Sequence, residues 1–243
     1  MSQDSTPAAL PGISVVKNGP YIVEGAVPLV RKTQIVSEFG EPLSWQLLSR
    51  YEVPKERYRL CRCGHSKHMP FCDNSHLLKR FDGKETAATD GSQDDSIVLP
   101  GGKHIIVRLY RDLCMSSGFC NLRNTGIVRL TAESEDTLKR SLAIAMIERC
   151  PSGALTYQID PDEPEVEPDL PQEIAETFEI TSHGSIRGPL WVTGYLQIKR
   201  SDGVPFVARN RVTLCCCGNS GNKPLCDGTH RRDAEWEADW KKK

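Results

Sequence analysis

Aromatic residues make up only 7% of the 243, and the hydrophobic fraction is 38%. The core is therefore thin for the length, and metal sites are natural candidates to help hold it. Charge of one sign is not in excess either: 31 Lys and Arg face 32 Asp and Glu, a net of -1. Such a chain has no global attraction for nucleic acid or anionic membranes, so partner choice falls to local patches. No run approaches the apolar length of a membrane span, and residues 1–12 read as a polar, disordered tail without the apolar stretch of a secretory signal. These absences predict a cytoplasmic protein with no membrane span and no nucleic-acid partner. Also missing are a phosphate-cradling glycine loop, a nucleophile elbow and an H-E-x-x-H pair. The chain reads as a carrier rather than an enzyme.

What the sequence has is cysteine. Ten occur, at 61, 63 and 72, at 114, 120 and 150, and at 215, 216, 217 and 226. In a reducing compartment these read as metal ligands rather than disulfides, and three groups suggest three sites. The first and last groups share one spacing, C-x-C-x8-C-x3-H, with Gly, Ser, Pro and Asp matching in between. That is an internal repeat. It reaches upstream, where Gly19-Pro-Tyr-Ile-Val23-Glu-Gly25 returns as Gly188-Pro-Leu-Trp-Val192-Thr-Gly194, in each copy a turn, a short strand and a second turn. The first copy is longer by 15 residues, placed within residues 31–49.

A different module lies between. The run from His104 to Tyr110 reads as a strand, followed by Cys114 and Cys120. A helix is expected next, with Ser134 as N-cap, Glu135 and Asp136 in the first turn, and Leu138, Leu142, Ala145 and Met146 on its buried face. Pro151 ends it beside Cys150, and a second strand covers Ala154 to Ile159. Polar residues 84–95 and acidic, proline-bearing residues 160–173 read as linkers.

Three thiolates and one imidazole complete four protein ligands, a set that suits either zinc or iron. For a binuclear cluster, the C-x-C pair would serve one iron, leaving Cys72 with His76, or Cys226 with His230, for the other. Replacing a thiolate by neutral imidazole removes one negative charge. At about 4 Å and an effective dielectric of roughly 20, that favours reduction by on the order of 4 kcal/mol. It also leaves a ligand that protonation can detach.

Both segments resemble the CDGSH iron–sulfur domain, the mitoNEET-like family, whose pattern is C-x-C-x2-S-x3-P-x-C-D-G-S-H. The resemblance implies two [2Fe-2S] clusters, held by Cys61, Cys63, Cys72 and His76 and by Cys215, Cys217, Cys226 and His230. It further implies β-rich modules that pair face to face. Asn74 replaces the glycine of the motif in the first copy and Thr229 the serine in the second. The middle segment is similar to a divergent, single-cluster ferredoxin. Ser117 stands where its middle cysteine would be, so Cys114, Cys120 and Cys150 suit a [3Fe-4S] cluster, with [4Fe-4S] as the alternative. Other polar residues have blander readings: Cys216 as a bystander at the position of Arg62, His65, His68, His104 and His183 as surface residues, Asp73 and Asp227 as acceptors of local backbone hydrogen bonds, and Lys241 to Lys243 as a solvated tail.

The expected fold is α+β: two small CDGSH modules, at residues 13–83 and 177–243, form an intramolecular pseudo-dimer. A ferredoxin-like domain at 101–160 sits between linkers 84–100 and 161–176. The expected function is electron transfer with a redox protein partner, a reductase, an oxygenase or an apo iron–sulfur protein. Cluster transfer, storage or sensing is the alternative. A monomer is expected.

Overall fold

A computed structural model describes residues 10–91 and 96–232. The tail at residues 1–9, part of the first linker and Lys241 to Lys243 lie outside the described residues. The protein is β-rich α+β, with few helices and several sheets.

The first repeat contributes β1 (Gly12–Val15), β2 (Tyr21–Glu24), β3 (Leu29–Val36), β4 (Pro42–Arg50), β5 (Arg57–Leu60) and a one-turn helix α1 (Ser75–Leu78). The middle module holds β6 (Ile97–Val98), β7 (Ile106–Leu109), β8 (Asn121–Leu122), β9 (Thr125–Gly126), α2 (Ile127–Ala132), α3 (Thr137–Arg149) and β10 (Leu155–Gln158). The second repeat follows with β11 (Glu173–Thr181), β12 (Gly184–Thr193), β13 (Gln197–Lys199) and β14 (Arg211–Leu214).

The repeats exchange strands. One sheet runs β13-β1-β2-β5 and the other β14-β12-β11-β3-β4. β3 follows β2 in the chain yet pairs in parallel with β11, while β13 follows β12 and pairs in parallel with β1. Each sheet is thus completed by a strand of the opposite repeat. The third strand of each, β5 or β14, leads directly into the ligand loop, and the registers Tyr21↔Leu60 and Leu190↔Leu214 are equivalent.

The extra residues 31–49 lengthen β3 and build β4, which has no counterpart in the other sheet. Trp45 on β4 places its ring 5.6 Å from Phe119 of the middle module and 5.7 Å from Trp191 of β12, so this hairpin clasps the two together. One apolar core, with Tyr21, Leu60, Ile147, Leu190 and Leu214 among its members, runs through all three segments.

Two expectations need correction. The α3 cap is Asp136, whose carboxylate accepts the amides of Leu138 and Lys139, because Ser134 instead donates its hydroxyl to the Lys103 carbonyl. The cap sets the helix phase: Ala143, Met146 and Ile147 are buried, and Leu138 is 81% exposed. Gly188 and Pro189 sit inside the long strand β12 rather than at a turn. A Cβ on Gly188 would meet the Thr177 hydroxyl at 2.5 Å, so the glycine serves close strand packing.

The acidic stretch is a pinned strap. Glu165 accepts from Tyr110 at 2.8 Å, Glu167 pairs with Arg211, and β11 already begins at Glu173.

Candidate metal centres

Each CDGSH-type loop is fixed by the same backbone pattern. The amide of Cys61 donates to Pro70 O and that of Cys72 to Arg59 O; in the second repeat Cys215 donates to Pro224 O and Cys226 to Thr213 O. The carboxylate of Asp73 accepts the amides of Lys67 and Ser75, and Asp227 accepts those of Gly221 and Thr229, at 2.8–3.0 Å. These hydrogen bonds pull both carboxyls below their usual range; for Asp227 they do so against burial, which pushes the other way. Both carboxylates are engaged by backbone amides of their own loop, so their part is to shape it.

The donors come in pairs. Cys61 and Cys63 have sulfurs 3.7 Å apart, and Cys72 Sγ lies 3.5 Å from His76 Nδ1. In the second repeat the separations are 3.6 Å for Cys215 and Cys217, and 3.4 Å for Cys226 and His230 Nδ1. One tetrahedral zinc, with bonds of about 2.3 Å to sulfur and about 2.0 Å to nitrogen, would need every donor within roughly 3.4–3.8 Å of every other. The donors converge two by two instead, and among the described residues no three His, Cys, Asp or Glu side chains gather as they would around one ion. Two metal ions with two protein donors each would fit this pairing of donors. A metal bound at Nδ1 would leave the ring proton on Nε2.

Burial raises the thiols, Cys63 to about 11, with Cys72 and Cys226 also pushed up. Cys215 is drawn down by its hydrogen bond with Cys217, whose proton is held more tightly in return. A metal entering these loops must displace protons. Cys216 points away and hydrogen-bonds the Gly188 carbonyl at 3.1 Å, while Arg62, its counterpart, is buried against the carbonyls of Val16 and Gly83 between the rings of Tyr21 and Phe81.

In the middle module, burial raises the Cys120 thiol and the neighbouring Cys150 and Cys114 add to this, although the three side chains do not gather as they would around one ion. Cys150 is buried, Cys120 half-buried and Cys114 exposed. Ser117 is buried. His65, His68, His104 and His183 are exposed.

The three loops touch. A Cβ on Gly64 would sit 2.4 Å from the Cys217 carbonyl, and one on Gly218 2.6 Å from the Cys63 carbonyl, so the CDGSH-type loops pack reciprocally at glycines with φ of +77° and +86°. Gly228, between Cys226 and His230, meets the Met115 carbonyl in the same way, at 2.5 Å.

Several neighbours of the site escaped the sequence reading. Tyr21 donates across the repeats to the Cys215 carbonyl at 2.8 Å. Glu179, wholly buried on β11, has Oε2 3.2 Å from His230 Nε2, off the line of a hydrogen bond, and pairs with Arg231. Burial raises its carboxyl, but His230 and Arg231 outweigh this and hold it low. The available signal was a lone carboxylate between Phe178 and Ile180 in a strand pattern. Arg211 is buried too, donating to the carbonyls of Cys150, Ile147 and Leu155 at 2.7–3.2 Å.

Comparison with known proteins agrees with this geometry. The family described as iron-binding zinc finger, CDGSH type, matches residues 18–77 and 187–231. A second family, described as divergent 4Fe-4S mono-cluster, matches residues 101–160. No curated protein matches the chain. The chain is therefore an iron–sulfur protein that carries two CDGSH-type domains flanking a divergent 4Fe-4S mono-cluster domain.

Proposed function

We propose that this protein is a monomeric, three-centre electron carrier working with a redox partner in a reducing cytoplasm. Two [2Fe-2S] clusters are assigned to Cys61, Cys63, Cys72 and His76, and to Cys215, Cys217, Cys226 and His230. Cys114, Cys120 and Cys150 hold a third centre in a ferredoxin-like module. Three thiolates suit [3Fe-4S]; the matching family's description favours the [4Fe-4S] alternative, in which Ser117 is a candidate for the fourth ligand. Bound, these clusters supply one-electron exchange.

The observation that carries the reading is the unbroken backbone contact between the three cysteine loops, Met115 against Gly228 and Cys63 and Cys217 against the opposed glycines. The chain itself sets the order: middle module, second repeat, first repeat. The repeats are read as an intramolecular pseudo-dimer, a reading that the exchanged strands β3 and β13 support. The carrier is a component of an oxidoreductase system and has no catalytic group of its own.

Purification without oxygen, followed by iron and sulfide counting and EPR-monitored redox titration, tests this. About seven irons per chain, or about eight with a [4Fe-4S] centre, and reversible one-electron steps are expected. A colourless, iron-free protein would sink the proposal. One observation favours a second reading, cluster transfer: Cys72 is half-buried, and with His76 it lines an open depression, whereas Cys226 is buried. Loss of colour from the first repeat alone to an apo-ferredoxin, faster than any electron exchange, would select it.

A further inference from the structure

The two repeats differ in what covers their ligand loops. On the second repeat the cover is the middle module. Arg211 of β14 docks it through three backbone carbonyls and Glu167, Gly228 meets Met115, and Asn222 donates to the Asp112 carbonyl at 2.7 Å. The equivalent positions of the first repeat are Arg57, Asn74 and His68, and all three are exposed. Arg57 and Asn74 line an open depression together with Cys72, His76, Arg59 and Phe71. No carboxylate lines it: Asp73 is held by the amides of Lys67 and Ser75, and Glu24 meets Arg57 only at 3.8 Å on the exposed outer side. Lys79 and Arg80 follow α1, the helix that carries His76, and are exposed, as are Leu77 and Leu78 on it, at 68% and 88%.

We infer that the basic face around Cys72 and His76 docks an acidic electron-transfer protein, seated on the first repeat as the middle module is seated on the second. The inference rests on the electron-carrier reading and names where the outside partner binds. The chain supplies the precedent, since a cysteine-bearing module already occupies the matching face through an arginine at the matching strand position. Charge decides the occupant's class. Arg57 and Arg59 line this depression with no carboxylate among them, and the internal occupant presents carbonyls and a carboxylate to Arg211. A few exposed leucines within a charged rim suit a small, short-lived interface.

The test uses the full cluster-loaded chain, oxidised, mixed with one of two reduced donors in a stopped-flow instrument. One donor is an acidic plant-type ferredoxin; the other is the methyl viologen radical cation. Each passes one electron to the protein and is left oxidised by one electron. In the double variant Arg57→Glu with Lys79→Glu, the ferredoxin rate should fall about tenfold at low salt, with the viologen rate unchanged or raised. Arg57→Gln with Lys79→Gln should give an intermediate fall, and Lys199→Glu, on the far sheet edge, none. Unchanged visible spectra would show that the clusters survive in every variant. Equal slowing of both donors, indifference of ferredoxin to the double variant, or an equal effect of Lys199→Glu would overturn the docking proposal alone. Reduction by neither donor in the unaltered protein would overturn the electron-carrier reading beneath it.

Discussion

Arg57 and Arg211 occupy the same strand position in the two repeats, four residues before the first ligand cysteine, and live in opposite surroundings. Arg57 is exposed, with only a distant partner in Glu24; Arg211 is fully buried and spans the middle module and the acidic strap. Asn74 and Gly228 differ in the same sense. Both adopt positive φ, 69° and 83°, but Asn74 is exposed and Gly228 is pressed against another backbone. The donors and the hydrogen bonds that aim them are duplicated almost atom for atom, while their surroundings are not. Duplication fixed the chemistry of the two loops, and their surroundings differ in which cysteine is left half-buried, Cys72 in the first repeat and Cys217 in the second.

The largest expected break in that comparison is in stability. Arg211→Met leaves three carbonyls and Glu167 buried without their donor, which should cost about 3–5 kcal/mol. Arg57→Met at the matching exposed position should stay within about 0.5 kcal/mol. Urea unfolding of the two loaded variants measures both, and equal costs would mean that the middle module is not anchored through Arg211. Next in size is the glycine contact. Gly228→Asn keeps the left-handed backbone accessible, as Asn74 shows, so any loss comes from the Cβ driven against Met115. That overpacking should cost about 1–3 kcal/mol and weaken the magnetic coupling between the middle and second centres in EPR. Asn74→Gly, with open space beside it, should change neither by more than about 1 kcal/mol.

Much of this arrangement could be read from the sequence, and the limit has a physical cause. Ligand spacing is local, and a duplicated spacing such as Cys61 to His76 against Cys215 to His230 identifies itself. Strand and helix periodicity placed β2, β7, β10 and α3, because burial acts at fixed intervals along the chain. What stayed hidden depends on residues far apart in the chain. The N-cap went to Asp136 because Ser134 found the Lys103 carbonyl, and β3 left its own repeat to pair with β11. Residues 160–173 have a linker's composition, yet Glu165 and Glu167 meet Tyr110 and Arg211, partners invisible to a local reading.

The smallest of the expected effects is the most specific to one centre. Glu179 lies wholly buried beside His230, and no carboxylate lines the corresponding depression beside His76. A buried negative charge next to a ligand ring favours the oxidised, more positive centre. Glu179→Gln keeps the shape and removes the charge, so the second repeat's midpoint potential should rise by on the order of 60 mV, a tenfold change for one electron. The first repeat should hold its potential, which makes it an internal reference within the same titration. EPR-monitored titration of the loaded protein resolves the two centres. A shift shared by both would mean that the carboxylate acts through the fold at large, and no shift in either would mean that its charge does not reach the imidazole.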